Sequence, residues 1–269
     1  LVTYTSTDDC GNSSTVTMNV TVIDEAIPVA VCKKDLAIAM DDDGIVTANA
    51  SLFDDGSFDN CSIQKIEVRR GNDPYSSSLT FTCNDISNQP VNVELRVFDT
   101  SNLSNTCSVK VFVSDPVSPV VTCPADITLS CIANANDLSI AGQASATDNC
   151  SVPTITFVDT KNLNSCNQGT ITRKWRAIDK YNNFTECSQK ITLQDQTPLN
   201  ITWPSDYATN VCGAVVSPDK TGTPSFTNND CEQLDVNYTD QVFNTAPPAC
   251  YKIVRKWVVR NWCVYNPNI

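Results

Sequence analysis

The sequence predicts an all-β protein built from tandem, disulfide-bonded β-sandwich modules arranged end to end. Stretches of alternating apolar and polar residues recur along the chain, as in VNVELRVFD and TITRKWRAID, and helical periodicity is hard to find. Landmark residues return at intervals of roughly 80–90 residues, which indicates an internal repeat. The 14 cysteines include no C-x-x-C pair and the chain has no histidine, so disulfides are favoured over zinc or iron–sulfur binding.

Three sets of residues define the repeat. An acid closes a strand-like run at Asp24, Asp115 and Asp195, and a second acid lies sixteen residues earlier at Asp8, Asp99 and Asp179. Asn-Cys or a near equivalent returns at Cys61, Cys150 and Cys231. Because the three sets stay in step, they indicate one module per repeat, and the repeat has the size of an immunoglobulin-like sandwich.

The landmarks divide the chain into four parts. Residues 1–26 are predicted to be the last two strands of one module, 27–117 and 118–197 to be complete modules, and 198–269 to be a module without its final strand. A missing strand leaves an open sheet edge, so we expect a piece of a longer array. The alternative is that neighbouring chains donate the missing strands. This fits poorly, because residues 1–26 would supply two strands whereas the last module lacks one.

The repeat also predicts disulfide pairs, because cysteines recur at matching places. The expected pairs are Cys61–Cys83, Cys150–Cys166, Cys231–Cys250, Cys32–Cys107 and Cys123–Cys187. In the last module Trp203 occupies the position of the first cysteine, and the expected pair is Cys212–Cys263. Two cysteines are expected to be unpaired. The partner of Cys10 would lie upstream, and Cys131 is either a free buried thiol or an intermolecular link.

The chain is acidic, with a formal net charge of −12. This balance argues against nucleic acid or an anionic membrane as a partner and permits divalent cations. The sequence requires no cofactor, but acids crowded at module junctions make calcium a candidate ligand. The proposed ligands are Asp8, Asp24, Glu25, Asp59, Asp99, Asp115, Asp179 and Asp195. The alternative is ordinary turn chemistry, since Asp is a common turn residue and no EF-hand order is present.

Nothing in the sequence indicates an enzyme. There is no histidine for general-base chemistry, no G-x-S-x-G motif and no glycine-rich phosphate loop. Two basic runs, TRKWRAID and VRKWVVRNW, could bind glycans or peptides. Strand alternation favours a simpler interpretation, in which Trp175 and Trp257 are core residues and Arg173 and Arg255 pair with acids on a neighbouring strand.

The motifs TDDCGN, ATDNC and TRKWRAID resemble those of tandem hyalin-repeat and immunoglobulin-like modules in very large secreted surface proteins of Bacteroidota, including gliding-motility adhesin-like and type IX-secreted proteins. The resemblance covers nearly the whole chain. It implies sandwiches strung end to end, an extracellular or cell-surface location, and an adhesive or stalk role without catalysis. Met40 and Trp203, which replace cysteines, depart from the pattern.

Three functions therefore remain open. The first is a structural segment of an extracellular filament, stalk or adhesin, whose partners are the neighbouring modules. The second is a module that binds surface glycans or proteins itself, which an exposed aromatic platform would favour. The third is a spacer of a secreted hydrolase. The apolar runs are short and alternating, so no membrane span is expected.

Overall fold

A computed structural model describes residues 1–214, 216–244 and 250–264, and the rest of the predicted module 198–269 lies outside the described residues. The chain forms two compact units, Leu1–Val117 and Ser118–Ile269. Their boundary coincides with the predicted one after residue 117. The boundaries after residues 26 and 197 stay predictions.

The first unit is built from strands. It contains β1 (Val2–Thr7), β2 (Ser13–Met18), β3 (Asp35–Ala39), β4 (Ile45–Asn49), β5 (Ile63–Arg70), β6 (Ser78–Thr82), β7 (Val91–Asp99) and β8 (Ser104–Ser114), with a 3-10 turn at Ala50–Leu52 and a one-turn helix α1 at Cys83–Ile86. Strands β3, β8, β7 and β5 form one sheet in that order, β4 pairs with β6, and β1 pairs with β2. Strand β3 is parallel to β8 and the other neighbours are antiparallel.

The core of this unit follows from strand alternation, which turns every second side chain to the same face. In β7 the buried side chains are Val93, Leu95 and Val97. Phe81 on β6 is fully buried and stacks on Phe53, with ring centroids 6.3 Å apart. Large apolar side chains therefore fill the space beneath the four-stranded sheet.

The second unit repeats this plan. It contains β9 (Val120–Thr122), β10 (Ile127–Ser130), β11 (Ser145–Thr147), β12 (Thr154–Leu163), β13 (Gly169–Ile178), β14 (Phe184–Gln194), β15 (Asn200–Thr202), β16 (Ser225–Thr227), β17 (Leu234–Asn244) and β18 (Tyr251–Asn261), with one-turn helices α2 (Leu138–Ala141) and α3 (Pro218–Thr221). Strands β10, β14, β13 and β12 form a four-stranded sheet in that order. Strands β9–β11, β15–β16 and β17–β18 form two-stranded sheets. Across the described residues, no helix has the length and apolar character needed to cross a membrane.

The all-β prediction is confirmed, and strand positions agree closely in the middle of the chain. The run VNVELRVFD is strand β7, and TITRKWRAID falls on β13 shifted by one residue. The strand-like run STVTMNVTVID is only partly a strand, since β2 ends at Met18. The pairing of β1 and β2 ends at Val2 opposite Met18, so the residues up to Asp24 have no residue of β1 opposite them.

Two predicted disulfides join the first and last parts of a module in the structure. Cys32 is bonded to Cys107, and Cys123 is bonded to Cys187. Cys123 follows β9 and Cys187 lies on β14, so this bond joins a two-stranded sheet to the four-stranded sheet of the same unit. Cys10 is a free, exposed thiol.

The remaining predicted pairs differ from the structure. Cys131 is bonded to Cys231, Cys166 to Cys263 and Cys212 to Cys250. The predicted pairs Cys150–Cys166, Cys231–Cys250 and Cys212–Cys263 are therefore wrong, and Cys131 is not the unpaired thiol. The predicted Cys61–Cys83 pair is wrong too, since Cys61 is free and exposed while Cys83 is in a disulfide.

The reason lies in strand length. Cys150 precedes β12 and Cys166 follows it, and this strand has 10 residues. At about 3.3 Å per residue such a strand separates its ends by roughly 33 Å, whereas disulfide-bonded Cα atoms lie within about 7 Å. Strand β17, with 11 residues, separates Cys231 from Cys250 in the same way. Matching positions in the repeat therefore identified comparable cysteines but not the bonds between them.

The paired basic and aromatic strands have the arrangement that alternation predicts. Arg173 on β13 lies opposite Asp159 on β12, with its Nε 2.8 Å from the carboxylate Oδ1. Arg255 on β18 lies opposite Asp240 on β17 at 2.7 Å. Trp175 is 2% exposed and is a core residue. Trp257 in the corresponding place is half-buried.

Candidate cation site

The first unit brings several of the proposed calcium ligands together, beginning with Asp24. This residue lies in the extended segment after β2 and is half-buried. Its Oδ1 accepts a hydrogen bond from the backbone N–H of Ala26 at 3.1 Å and one from Asn60 Nδ2 at 3.4 Å. Its Oδ2 is buried and has no hydrogen-bond partner among the described residues. Oδ1 therefore holds the neighbouring backbone and Asn60 in place, and Oδ2 makes no hydrogen bond within the described residues.

Asp59 is held in the turn that precedes β5. Its Oδ2 accepts hydrogen bonds from the backbone N–H groups of Cys61, at 2.8 Å, and Ser62, at 3.3 Å. A short acidic side chain that bonds the backbone two and three residues ahead is typical of Asp in turns. The turn places the Asp59 carboxylate and the Cys61 thiol on the side that faces Asp24.

One carboxylate oxygen from Asp24, one from Asp59 and the sulfur of Cys61 all lie within 4.8 Å of one another. The pKa of the Cys61 thiol is raised above its ordinary value, first by loss of hydration and then by the adjacent carboxylate of Asp24 and the negative charges of Asp59 and Asp99. The negative charges of these carboxylates therefore oppose ionisation of the Cys61 thiol.

Asp99 ends β7 and is fully buried. Its Oδ1 accepts hydrogen bonds from the backbone N–H groups of Ser101, at 2.8 Å, and Leu103, at 2.9 Å. Its Oδ2 is buried without a hydrogen-bond partner in the described part of the chain. A buried carboxylate oxygen that is left unpaired carries a large desolvation cost.

The other predicted ligands have different surroundings. Asp8 bonds the backbone N–H of Asn12 through Oδ1 and the Asn12 side chain through Oδ2, and these bonds lower the pKa of Asp8. Asp179 uses the same two contacts with Asn183. Glu25 is exposed. Both carboxylate oxygens of Asp8, and both of Asp179, therefore accept hydrogen bonds within the turn that follows the acid.

Asp115 and Asp195 each bond the backbone two residues ahead. The Asp115 carboxylate is 6% exposed and its Oδ1 accepts from the N–H of Val117 at 3.1 Å. Asp195 accepts from the N–H of Thr197 at 2.9 Å, which is the main reason why its pKa is lowered. Asp195 also contacts Glu232, whose pKa is raised by burial and by its hydrogen bond to Asp195.

Replacing Glu232 with glutamine is expected to raise the melting temperature at pH 7, because it removes the repulsion between two half-buried carboxylates. The gain should be small, about 1–2 °C, because charge pairs near the surface contribute little. The raised pKa of Glu232 means that the unfolded chain loses this proton at a lower pH than the folded chain does. Stability is therefore lost as pH rises above about 4.3, the ordinary pKa of glutamate. Melting curves at pH 4 and pH 7 test this, since an equal gain at both would contradict the charge explanation.

Sequence reasoning missed Cys61 as a neighbour of the acidic cluster, because it assigned that thiol to a disulfide. It also missed Asp148, whose carboxylate lies within 4.8 Å of that of Asp179 in the second unit. The signal was available, since Asp148 takes the place of Asp59 in the repeated Asp-Asn-Cys motif. Asp148 also bonds the backbone of Cys150 and Ser151 as Asp59 bonds its own turn.

Comparison with known proteins gives only distant structural similarities. No protein-family model matches the chain, and no curated protein matches it by sequence. The extracellular cadherin domains 1–4 of protocadherin gamma B7 align over 95% of this chain and 80% of that one, with 11% identity and a TM-score of 0.32.

Two further structures match at a similar level. The mouse clustered PcdhgC3 EC1-3 structure aligns over 72% of this chain and 76% of its own, with 13% identity and a TM-score of 0.31. The four N-terminal Ig domains of Dscam1 isoform 6.9 align over 69% and 52%, with 10% identity and a TM-score of 0.30. These values are low, and the conclusions below rest on the residues of this chain.

Proposed function

We propose that this chain is a non-catalytic structural segment of an extracellular filament, stalk or adhesin, of the hyalin-repeat type that its motifs resemble. The observation that carries the proposal is the cross-linking of the second unit. The bonds Cys131–Cys231 and Cys166–Cys263 each join the predicted module 118–197 to the predicted module 198–269. A cell-surface location fits, because 12 of the 14 cysteines are in disulfides, which persist outside the reducing cytosol.

The disulfides also change how a pulling force would pass through the chain. Force entering at Cys123 crosses to Cys187, runs back along the backbone to Cys166 and crosses to Cys263. On this shortest covalent path, residues 166–187 are the only backbone stretch under load between the two outer cysteines. The rest of the region is bypassed, which suits a segment that transmits tension without extending.

Single-molecule pulling on the two ends of the full chain tests the proposal. At about 3.4 Å per extended residue, the region 123–263 should extend by only about 70 Å when oxidised and by about 480 Å after reduction. The Cys166→Ser/Cys263→Ser variant is the matched control, because the shortest covalent path then crosses Cys123–Cys187 and Cys212–Cys250 and loads the backbone stretches 187–212 and 250–263. Its oxidised extension should rise to about 130 Å. Equal extension before and after reduction would contradict a load-bearing role.

A second candidate function, binding of a surface glycan or protein, is favoured by an aromatic cavity in the second unit. The cavity has a volume of about 950 Å³ and is lined by residues that include Trp203, Tyr207, Tyr251 and Trp257. Trp203 and Tyr207 are both about half exposed, at 50% and 51%. Aromatic faces with nearby polar groups are suited to sugar rings and peptide side chains.

Glycan-array binding by the intact chain tests this second function. If the cavity binds a ligand, the wild-type chain gives a signal that the Trp203→Ala variant loses. Phe184→Ala is a suitable control, since Phe184 is a 47% exposed aromatic residue that does not line the cavity. Absence of binding by the wild-type chain would leave the structural role as the supported function.

A further inference from the structure

We infer that Asp24, Asp59 and Asp99 form a calcium-binding site in the first unit, with their free carboxylate oxygens as ligands. This inference is independent of the mechanical role proposed above. The inference reduces the eight acids that the sequence suggests as ligands to these three. The first support is proximity, since one carboxylate oxygen of Asp24, one of Asp59 and the Cys61 sulfur lie within 4.8 Å of one another, and Asp99 pairs with Ile63, two residues after Cys61.

The second support is a pair of buried oxygens that nothing in the described chain satisfies. Oδ2 of Asp24 and Oδ2 of Asp99 are both buried and lack hydrogen-bond partners there. Asp99 as a whole is fully buried. Carboxylates that are close together and dehydrated repel each other, and a bound cation compensates both the repulsion and the lost hydration.

The third support is a substitution within the repeat. In the turns of Asp8 and Asp179, the second carboxylate oxygen accepts from an asparagine side chain four residues ahead, at 2.9 and 2.7 Å. In the turn of Asp99 the corresponding residue is Leu103, which contributes only its backbone N–H. The turn is otherwise the same, so replacing asparagine with leucine leaves one oxygen of Asp99 free for another partner.

The second unit repeats part of the arrangement. Asp148 and Asp179 occupy the repeat positions of Asp59 and Asp99, and their carboxylates lie within 4.8 Å of each other. Oδ1 of Asp148 is buried and has no hydrogen-bond partner among the described residues. Acids at repeat positions therefore come together in the second unit, as Asp24 and Asp59 do in the first.

The chemistry of the ligands selects the ion. Carboxylate and carbonyl oxygens are the ligands that calcium prefers, and its flexible coordination tolerates irregular sites. The nearby thiol does not favour a softer metal, because it is a single sulfur among carboxylate oxygens and the chain has no histidine to add a nitrogen ligand. Extracellular calcium modules typically bind with a Kd of about 0.1–1 mM, and we expect a value in this range.

Melting of the intact oxidised chain, followed by circular dichroism, gives the first test. We expect 10 mM calcium to raise the melting temperature of the first unit relative to a chelator, as any ligand that binds only the folded state does. Asp99→Asn removes one ligand charge and should raise the Kd at least tenfold. Asp42→Asn makes the same chemical change at an exposed turn residue and should leave the Kd unchanged.

Leu103→Asn gives a sharper test without removing any acid. By analogy with Asn12 and Asn183, the new amide should bond Oδ2 of Asp99, so the variant should fold well and still bind calcium several-fold more weakly. If Leu103→Asn and Asp99→Asn both respond to calcium as the wild type does, the ion binds elsewhere and the assignment is overturned.

Alkylation of Cys61 by iodoacetamide locates the bound ion. A calcium ion held by Asp24 and Asp59 would offset the negative charge beside the Cys61 sulfur and should speed the reaction there, while Cys10, the other free exposed thiol, serves as an internal control. An unchanged rate at Cys61 would overturn the site. Protection of Cys61, or tighter binding of zinc than of calcium, would make the thiol a ligand and overturn the calcium assignment.

Discussion

Removing the Cys131–Cys231 disulfide with the double variant Cys131→Ser/Cys231→Ser is expected to destabilise the second unit by about 2–5 kcal/mol. The bond closes a loop of 100 residues, and a longer loop loses more chain entropy when it is closed in the unfolded state. All four tryptophans lie between residues 175 and 262, so tryptophan fluorescence during denaturation reports on this unit alone.

The Cys212→Ser/Cys250→Ser variant gives a graded comparison. Its loop has 38 residues, so its loss should be smaller by about 1 kcal/mol in the same chain-entropy treatment. The single variant Cys131→Ser separates the observed bond from the pairing that the repeat predicted. If Cys131 were an unpaired thiol, this variant would release no new thiol at Cys231 for alkylation, and that result would contradict the Cys131–Cys231 bond.

Strand positions could be predicted because alternation is a local property of the chain. Each residue of β7 has its direction fixed by its neighbours, so VNVELRVFD identified both the strand and its buried face. Disulfide bonds depend instead on which strand ends meet in space. Cys150 and Cys166 recur together in the repeat, yet they lie at opposite ends of β12, and only the three-dimensional arrangement shows that Cys166 meets Cys263.

The candidate site likewise has one part that the sequence predicts and another that only the three-dimensional structure shows. The repeat identified Asp24 and Asp99 as candidate ligands because acids recur at the same positions of each repeat, and the sequence alone shows this. Which oxygens are already used is not visible. Asp8 and Asp99 look equivalent in the sequence, but Asn12 satisfies the first and Leu103 leaves the second incomplete. The informative signal was four residues away from the acid itself.

Replacing Asp159 with alanine is expected to destabilise the second unit by about 3–5 kcal/mol, the usual cost of leaving a buried charge without its partner. The Arg173 side chain is 0% exposed, and its Nε and Nη2 each donate to an oxygen of Asp159 at 2.8 Å. The guanidinium also lies 4.0 Å from the ring centroid of Phe157, so the charge cannot reach water without disturbing this packing.

Asp240→Ala is the matched control, because the Asp240–Arg255 pair has the same cross-strand geometry in a more open place. The side chains of Arg255 and Asp240 are 12% and 27% exposed, so water replaces much of the lost interaction and the expected cost falls to about 1 kcal/mol. Denaturation followed by tryptophan fluorescence measures both variants, and equal losses would contradict burial as the cause.

The double variant Arg173→Met/Asp159→Leu separates the cost of an unpaired charge from the cost of a lost contact. Apolar side chains of similar size remove both charges together, and such replacements of buried ion pairs are often neutral or stabilising. We therefore expect this variant to recover most of the stability that Asp159→Ala loses. If the double variant is as unstable as Asp159→Ala, the ion pair itself stabilises the sheet. The stability lost in Asp159→Ala would then not come from leaving the Arg173 guanidinium buried without a partner.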